Sequence, residues 1–257
     1  VGGAVIKVTG ELAGTVVEPS TDINVSVSAK SAAKLARLVG IDVTPTIQNL
    51  GGFNFQSKIL GSLASLNLDA VLRVAGARLD AKGVVRPLGS PPRLDLALKF
   101  SHPKAEQFIA LLDKDTVAQG LKFGSVTAAA SIVSRDGPGV DLDATFNLAG
   151  GRLTVLGLIK PMAMEPEINA RVTLDHPDIV KLIRMAVPKF KPSRSELGPL
   201  SLKFSIVGNG KILSLNALSL RTGSTAFTGD VAVNLVGVRP NFSVRLEASD
   251  LELNPWF

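Results

Sequence analysis

Apolar and polar residues alternate one by one along many short segments of this chain. The apolar positions of three such segments are Leu66, Leu68, Ala70, Leu72 and Val74; Val140, Leu142, Ala144, Phe146 and Leu148; and Leu200, Leu202, Phe204 and Ile206. Side chains of a β-strand point alternately to the two faces of its sheet. The period of two therefore predicts antiparallel strands with one dry face and one solvated face.

Four segments begin with a proline and continue in the same alternation. The prolines are Pro19, Pro92, Pro166 and Pro240, so the segments are spaced by 73, 74 and 74 residues. Their apolar positions are Ile23, Val25 and Val27; Leu96, Leu98 and Phe100; Ala170, Val172 and Leu174; and Val244, Leu246 and Ala248. Self-similarity at a fixed period is typical of repeat architectures. It predicts one elongated β-repeat segment over 1–257, a fragment of a larger protein, with units of approximately 1–75, 76–149, 150–221 and a partial unit 222–257.

Each proline is preceded by a matching element centred on a glycine. These glycines are Gly10, Gly83, Gly157 and Gly229. A glycine inside a strand often marks a bulge or a bend, which is the expectation at these four positions. The loops Arg135–Gly139 and Gly208–Gly210 carry the turn residues of hairpins.

Three of the four proline segments continue into a predicted short helix. Their apolar stripes are Leu35, Leu38 and Val39; Ala105, Phe108, Ile109 and Leu112; and Ile179, Leu182, Ile183 and Ala186. Spacings of three and four are typical of a helix with one apolar side. Ser101 and Asp175 are expected to cap two of these helices, with the following prolines in the first turn.

The predicted fold is therefore mainly β, with repeats of about 74 residues that contain antiparallel strands and one short helix. Repeats stacked in line extend a sheet in one direction, and its long apolar face must be covered. A second sheet could cover it and form a closed sandwich. Alternatively, the sheet could curl into an elongated trough that holds an apolar ligand. The alternation alone leaves both interpretations open.

Composition excludes several kinds of chemistry. The chain has no Cys and two His, which excludes disulfides and thiol catalysis and leaves little for a transition-metal site. His102 and His176 precede prolines at equivalent points of two repeats, where a cap or turn role is expected. Asp136, Asp141 and Asp143 fall on a turn and a wet strand face, not in a calcium-binding loop. No phosphate loop or nucleophile motif is present, so we predict no catalytic residues, no metal, no cofactor and no enzyme activity.

The apolar side chains are aliphatic. Aromatic residues make up 5% of the chain, with one Trp and no Tyr, which disfavours carbohydrate binding and base stacking. The net charge of +6 is spread along the chain, and its densest cluster is Lys189, Lys191 and Arg194. This cluster is expected to be a solvated loop, or alternatively a weak site for anionic headgroups, and nucleic acid is not an expected partner.

The repeated Leu-x-Leu strands with intervening Gly resemble the AsmA-like family. The segments that carry the resemblance are LNLDAVLRVAGARLDAKGVV, SLNALSLRTGSTAFTGDVAVNL, LDLALKFSHPKAEQFIALL and INARVTLDHPDIVKLIRMA. The resemblance implies a curved, taco-shaped β-groove in the periplasm of Gram-negative bacteria. It also implies an inner-membrane anchor outside this sequence and a part in phospholipid traffic and outer-membrane biogenesis.

The first hypothesis for function is therefore binding and transport of phospholipid or another acyl lipid along an apolar groove. The residues expected to line it are Val25, Val27, Leu66, Leu68, Leu72, Leu96, Leu98, Leu142, Phe146, Val172, Leu174, Leu202, Phe204 and Leu246. The alternative is a non-enzymatic scaffold that docks envelope proteins through an exposed edge strand.

Overall fold

The computed structural model describes residues 3–15, 19–34, 50–112, 122–161, 165–187, 190–191, 197–236 and 240–249. The chain divides into two compact units, Val1–Val133 and Ser134–Phe257. The predicted apolar stripe Leu35, Leu38 and Val39 lies outside the described residues, as do Lys189 and Arg194 of the basic cluster.

The described part of the first unit contains seven strands, one short helix and a helical turn at residues 32–34. The elements are β1 (Ala4–Gly14), β2 (Pro19–Ala29), β3 (Phe53–Ser62), β4 (Ser65–Val74), β5 (Ala77–Arg86), β6 (Arg93–His102), α1 (Ala105–Leu112) and β7 (Val126–Ser134). Each strand pairs antiparallel with the next strand along the chain.

The second unit also contains seven strands and one helix among its described residues, and its helix follows the third strand. Its elements are β8 (Val140–Leu148), β9 (Gly151–Lys160), β10 (Glu167–His176), α2 (Ile179–Ala186), β11 (Leu200–Asn209), β12 (Ile212–Thr222), β13 (Thr225–Asn234) and β14 (Asn241–Ser249). The strands again pair antiparallel with their chain neighbours, from β8 to β14.

The prediction of a mainly β fold with antiparallel strands and short helices is confirmed. Within each unit the strands form one open, curved layer, and the described residues contain no second sheet packed on it. Of the two interpretations that the alternation left open, the fold adopts the open sheet.

A backbone hydrogen bond recurs where β2, β6 and β10 pass into a helical turn, and we call it the glycine clasp. The N–H of the residue that begins the turn donates to the carbonyl of a glycine shortly before the next strand. The three pairs are Ala32 and Gly51 at 2.7 Å, Ala105 and Gly124 at 2.6 Å, and Ile179 and Gly198 at 3.2 Å. The donors and the acceptors are each spaced by 73 and 74 residues, so the repeat extends to individual bonds.

Helix α2 covers one end of the sheet in the second unit. Ile179 and Val180 are buried with Leu197 and Leu200 in a cluster that also contacts Leu174 of β10.

The N-cap of this helix differs from the prediction. Asp178 is the N-cap, and its carboxylate accepts the N–H of Lys181 at 3.2 Å. The predicted cap, Asp175, instead belongs to β10, because the strand continues through His176 and only then turns.

The recurring glycines allow close approach between strands, and the expected bulge is absent from their own strands. Pairing with the following strand is in continuous register through Gly10, Gly83 and Gly157. At Gly83, where φ is +149°, an added Cβ would lie 1.9 Å from the carbonyl oxygen of Asp95 in β6. A side chain there would force two backbones apart. Close to Gly229 the register does shift, but the irregularity lies in the neighbouring strand β12.

Two hairpins at equivalent positions turn through left-handed residues. Ala75 and Gly76 connect β4 to β5 with φ of 51° and 81°, and Ala149 and Gly150 connect β8 to β9 with φ of 55° and 91°. Positive φ at both central residues is the geometry of the two-residue turns that match strand twist. Alanine is unusual there, because its Cβ makes this region unfavourable.

Candidate functional site

Paired residues of neighbouring strands lie on the same face of a sheet, so the register sorts the side chains of each unit into rows. In the first unit a central row contains Val8, Val25, Ser57, Ala70, Ala81, Leu98 and Ala130. A second row on this face contains Ile6, Val27, Phe55, Leu72, Leu79, Phe100 and Ala128. A third contains Gly10, Ile23, Ile59, Leu68, Gly83, Leu96 and Ile132. We call this surface the apolar face of the first unit.

The second unit has an equivalent apolar face. One row contains Phe146, Leu153, Leu174, Leu202, Leu220, Phe227 and Ala248. Another contains Leu142, Gly157, Ala170, Ile206, Leu215, Val231 and Val244. Between them run Ala144, Val155, Val172 and Phe204. Leu246 lies on the same face, opposite Gly229.

All fourteen residues predicted to line a groove lie on these two apolar faces. Twelve are half-buried, whereas Phe146 and Leu246 are 40% and 49% exposed. None of the fourteen is fully buried: no second sheet covers the faces in the described part of the chain, and α2 contacts the second face at one end, through Leu174. Their proposed contact with lipid stays a prediction.

The opposite face of each unit carries most of the charge. Cross-strand ion pairs there join Lys82 to Asp69 at 2.8 Å and Lys58 to Asp22 at 3.6 Å. Hydrogen bonding to Asp69 raises the pKa of Lys82, and the nearby negative charge adds to this effect. Exposed pairs of this kind contribute little to stability. They make one face polar and well hydrated, in contrast to the aliphatic face behind it.

One polar residue interrupts the central row of the first unit. Ser57 is 6% exposed, and its Oγ has no hydrogen-bond partner in the structure. A buried hydroxyl without a partner costs free energy, so such atoms are rare in folded proteins. Ser57 is not among the residues predicted from the sequence to have a role. Its position could have been noticed, since it falls in the apolar phase of β3 between Phe55 and Ile59.

The two histidines hold the turns together. His176 is buried, and its Nδ1 accepts the N–H of Asp178 at 3.0 Å. Its Nε2 must then carry the proton, and it donates to the carbonyl of Ala149 at 3.2 Å. His102 makes the equivalent bonds, with Lys104 at 3.0 Å and Ala75 at 2.9 Å. Both ring nitrogens are thereby occupied by backbone groups, which agrees with the predicted structural role.

Asp141, next to the loop 135–139, also has a structural partner. The guanidinium of Arg135 donates to Asp141 at 2.7 Å, and this hydrogen bond raises the pKa of Arg135. Asp143 is exposed on the polar face. Among the residues that the structure describes, no three His, Asp or Glu side chains are grouped as metal ligands would be.

No helix in the described ranges is long and apolar enough to cross a membrane.

Comparisons with known proteins leave the family open. No protein-family model, no curated protein and no solved structure matches the chain. The resemblance to AsmA-like proteins therefore remains a prediction from the residues, and the apolar faces are the feature from which a function can be argued.

Proposed function

We propose that this chain binds acyl lipid on its apolar faces and supports lipid transport. The observation that carries the proposal is the apolar face of each unit, which no second sheet covers among the described residues and whose aliphatic side chains are mostly half-buried and so still accessible. Soluble proteins rarely expose continuous apolar patches beyond a few hundred Å², and larger ones usually have a partner.

The chemistry of the faces suits a hydrocarbon ligand. Transfer of each CH₂ group from water to an apolar surface is favourable by about 0.8 kcal/mol, so an acyl chain gains affinity along its whole length. Aliphatic side chains in successive rows offer this contact without polar specificity. Binding would therefore be additive over many residues, and no single side chain would dominate it.

The wider setting follows the resemblance to the AsmA-like family. In this proposal the chain is a periplasmic part of a protein that is anchored in the inner membrane through a segment outside this sequence. It would carry phospholipid between the inner and outer membranes of a Gram-negative bacterium and so serve outer-membrane biogenesis. No catalytic residue or cofactor takes part.

The proposal is tested by native mass spectrometry of the purified chain, before and after incubation with phospholipid vesicles, followed by solvent extraction and lipid analysis. We expect bound phospholipid at a defined stoichiometry. A chain that stays free of lipid after incubation would contradict the proposal.

A pair of neighbouring substitutions locates the binding surface. Leu98 lies in the central row of the apolar face, and Ala97 points to the opposite face, where it is exposed. Leu98→Arg should reduce lipid loading strongly, because a guanidinium would have to lose its hydration beside the acyl chain. Ala97→Arg adds the same charge one residue away and should load normally. Circular dichroism should show both variants folded, and equal loading of the two would exclude the apolar face.

A second candidate, a scaffold that docks envelope proteins, is favoured by the outer strands of the units. β1 pairs only with β2, and β14 only with β13, among the described strands. An unpaired strand edge is a common docking surface for extended protein segments. This candidate predicts a protein partner and no bound lipid.

A further inference from the structure

The strand ends of the first unit form two rims that differ in charge. The helix rim carries the helical turns, and the loop rim, at the other end of the strands, carries the loops such as 87–92. The central row of the apolar face separates the two halves. The helix-rim half has two carboxylates, Asp80 and Glu106, against the cations Lys7, Lys30, Lys34, Arg73, Arg78, Lys99, Lys104 and Lys122. The loop-rim half is balanced, with Lys58, Lys82, Arg86 and Arg93 against Glu11, Asp22, Asp69 and Asp95.

The second unit has the same asymmetry among its described residues. Its helix-rim half has the cations Arg152, Lys181, Arg184, Lys191, Lys203 and Arg221 against Asp175, Asp178 and Glu247. Its loop-rim half has Arg135, Lys160, Arg171, Lys211 and Arg245 against Asp136, Asp141, Asp143, Glu165, Glu167 and Asp230. The excess positive charge of each unit therefore lies on one rim.

Ion pairs neutralise cations of the loop rim and leave those of the helix rim largely uncompensated. The pairs in the loop-rim halves are Lys58 with Asp22, Lys82 with Asp69, Arg135 with Asp141, Lys160 with Glu167, and Lys211 with Glu165. On the helix rim of the first unit Arg78 pairs with Asp80. Lys7, Arg73 and Lys99 form no salt bridge with any residue that the structure describes.

Three of the helix-rim cations surround one carboxylate on the polar face. Arg73 lies directly opposite Arg78, and Asp80 lies directly opposite Lys99. The Nε of Arg78 donates to Asp80 at 2.8 Å, and this bond is the main reason why the pKa of Asp80 is lowered. Like charges that face each other across strands are destabilising. A further anion beside this group would therefore be favourable.

A cleft of about 550 Å³ opens next to these cations, between the start of β3 and the hairpin after β4. Asn54, Arg73 and Arg78 line it from the polar face. Phe53 and Val74, which continue the apolar face to the rim, line it as well. Apolar side chains and hydrogen-bond donors thus meet at one place, as a ligand with an acyl chain and a charged headgroup requires.

The helical segments place further lysines at the border of the apolar faces. The cluster under α2 contacts Leu174 and Leu220, which belong to the apolar face of the second unit. Lys181 in α2 is exposed, and so is Lys104 just before α1. The helix rim is therefore the cationic border of the surface on which the lipid is proposed to lie.

We propose that lipid on the apolar face is held with its phosphate at the helix rim, and that the chain consequently prefers lipids with an anionic phosphate headgroup. Arg73, Arg78 and Lys99 are the main phosphate-binding group. This inference rests on the proposed function, to which it adds the headgroup class and the orientation of the ligand. Contact with the acyl chains supplies affinity without polar specificity, and the phosphate supplies the selection. Guanidinium groups suit this role because their planar donors match phosphate oxygens.

The preference is measured on the complete 257-residue chain. It is incubated with phosphatidylcholine vesicles that contain phosphatidylglycerol and diacylglycerol in equal amounts and with identical acyl chains. Lipid is then extracted from the re-isolated protein and quantified by mass spectrometry. We expect phosphatidylglycerol to be enriched over diacylglycerol by roughly three- to tenfold. The enrichment should decline at high salt, because salt screens exposed charges.

Matched double variants locate the preference on the helix rim. Arg73→Gln with Lys99→Gln should bring the enrichment close to one and leave the loading of diacylglycerol unchanged. Lys58→Gln with Lys82→Gln removes the same charge from the loop-rim half of the same face and should retain the enrichment. Circular dichroism should show both variants folded. An enrichment that survives the first change, or that both changes abolish equally, would overturn the inference.

The orientation has a separate readout. A phospholipid with a photoreactive group on its headgroup should cross-link to Lys99–Leu112 and not to the loop 87–92. Cross-links at the loop, or equally at both rims, would contradict a phosphate held at the helix rim.

The loading experiment also separates this inference from the proposed function. Equal loading of phosphatidylglycerol and diacylglycerol would overturn the inference and leave acyl-lipid binding intact, whereas loading of neither lipid would overturn both. Glycerol phosphate, titrated into the lipid-free chain, tests a soluble phosphate as the source of the same chemistry. It should bind only weakly. Tight binding that Arg73→Gln with Lys99→Gln abolishes, without any enrichment of phosphatidylglycerol, would assign these cations to a soluble phosphate instead.

Discussion

The imidazole of His176 connects the turn before α2 to the carbonyl of Ala149, which lies 27 residues earlier in the chain. Ala149 is in the left-handed hairpin between β8 and β9. The histidine therefore fixes the end of a strand, a hairpin and the entry to a helix at one point. Because the same bond joins His102 to Ala75, it is part of the repeat.

Loss of the His176 ring should destabilise the second unit. His176→Ala leaves the carbonyl of Ala149 and the N–H of Asp178 without these partners in a buried place, and it also opens a cavity. We expect the free energy of unfolding to fall by about 2–4 kcal/mol in urea titrations. His176→Asn can still accept the N–H of Asp178 and should lose less. Equal losses for the two variants would argue against the hydrogen bonds as the cause.

The Gly83 position should not accept a side chain. The Cβ of Gly83→Ala would meet the backbone oxygen of Asp95, so the strands must separate, and we expect a loss of about 2–4 kcal/mol in the free energy of unfolding. Gly210→Ala is the matched control, because an added Cβ there has no atom within 4 Å. It should change stability by less than about 0.5 kcal/mol. A tolerated Gly83→Ala would contradict the close approach of β5 and β6.

Removal of the Ser57 hydroxyl should be neutral or stabilising. Ser57→Ala keeps the Cβ and deletes a buried oxygen that has no partner, so the unfolding free energy should rise by up to about 1 kcal/mol. Thermal denaturation by circular dichroism would measure the change. Ser26→Ala, at a half-buried position on the polar face, provides the comparison and should have a smaller effect. Clear destabilisation by Ser57→Ala would mean that the hydroxyl has a partner.

The carboxylate of Glu106 should make the stability of the first unit depend on pH. Its Oε2 accepts the N–H of Phe123 at 3.2 Å. Hydrogen bonds from its own backbone N–H, and then from those of Phe123 and Gly124, lower the pKa of Glu106 below its ordinary value of 4.5. A pKa that is lower in the folded state gives stability that is present above 4.5 and is lost as the pH falls through the folded pKa.

The variant Glu106→Gln isolates this contribution. It should be less stable than the parent chain at pH 7, and the difference should shrink as the pH falls through the folded pKa of Glu106, because below that pKa Glu106 is protonated in both states. Urea titrations across this range would measure the difference, and carboxyl ¹³C shifts would report the pKa directly. A difference in stability that stays constant with pH would show that ionisation of Glu106 does not matter.

The second unit offers its own test of lipid contact. Val172 lies on the apolar face, and Thr173 points to the opposite face. Val172→Arg should lower the amount of phospholipid that co-purifies with the chain, whereas Thr173→Arg should not. Lipid extracted from both variants, normalised to folded protein, gives the comparison. If Val172→Arg retains lipid while Leu98→Arg loses it, binding is confined to the first unit.

The alternation in the sequence was sufficient to assign the faces of the sheet. Leu68 and Leu98 could be placed on the same side because a period of two translates directly into the side from which a side chain projects. Whether a second layer covers that side could not be read from the pattern, since an open sheet and a sandwich have the same alternation. The position of Leu68 was therefore predictable, and its exposure was not.

Contacts between side chains and backbone were harder to predict. The bonds of His176 depend on where β10 ends, and Asp178 became the helix cap because that strand runs one residue past Asp175. The requirement for glycine at position 83 arises from the carbonyl of Asp95 in a neighbouring strand. Local propensity does not report distances to a neighbouring strand. The glycine was predicted to mark a bulge or a bend, whereas the structure shows continuous pairing and a close approach of two backbones.

The strand pairing within each unit has a consequence for evolution. Every strand there finds its partners among its immediate neighbours in the chain, and the glycine clasps close the helical crossovers locally. A block of four strands and one helix could thus be duplicated or deleted. Each remaining strand would still lie beside a strand equivalent to its present neighbour. The length of such a sheet could change in whole repeats, by recombination alone, without a new fold having to arise.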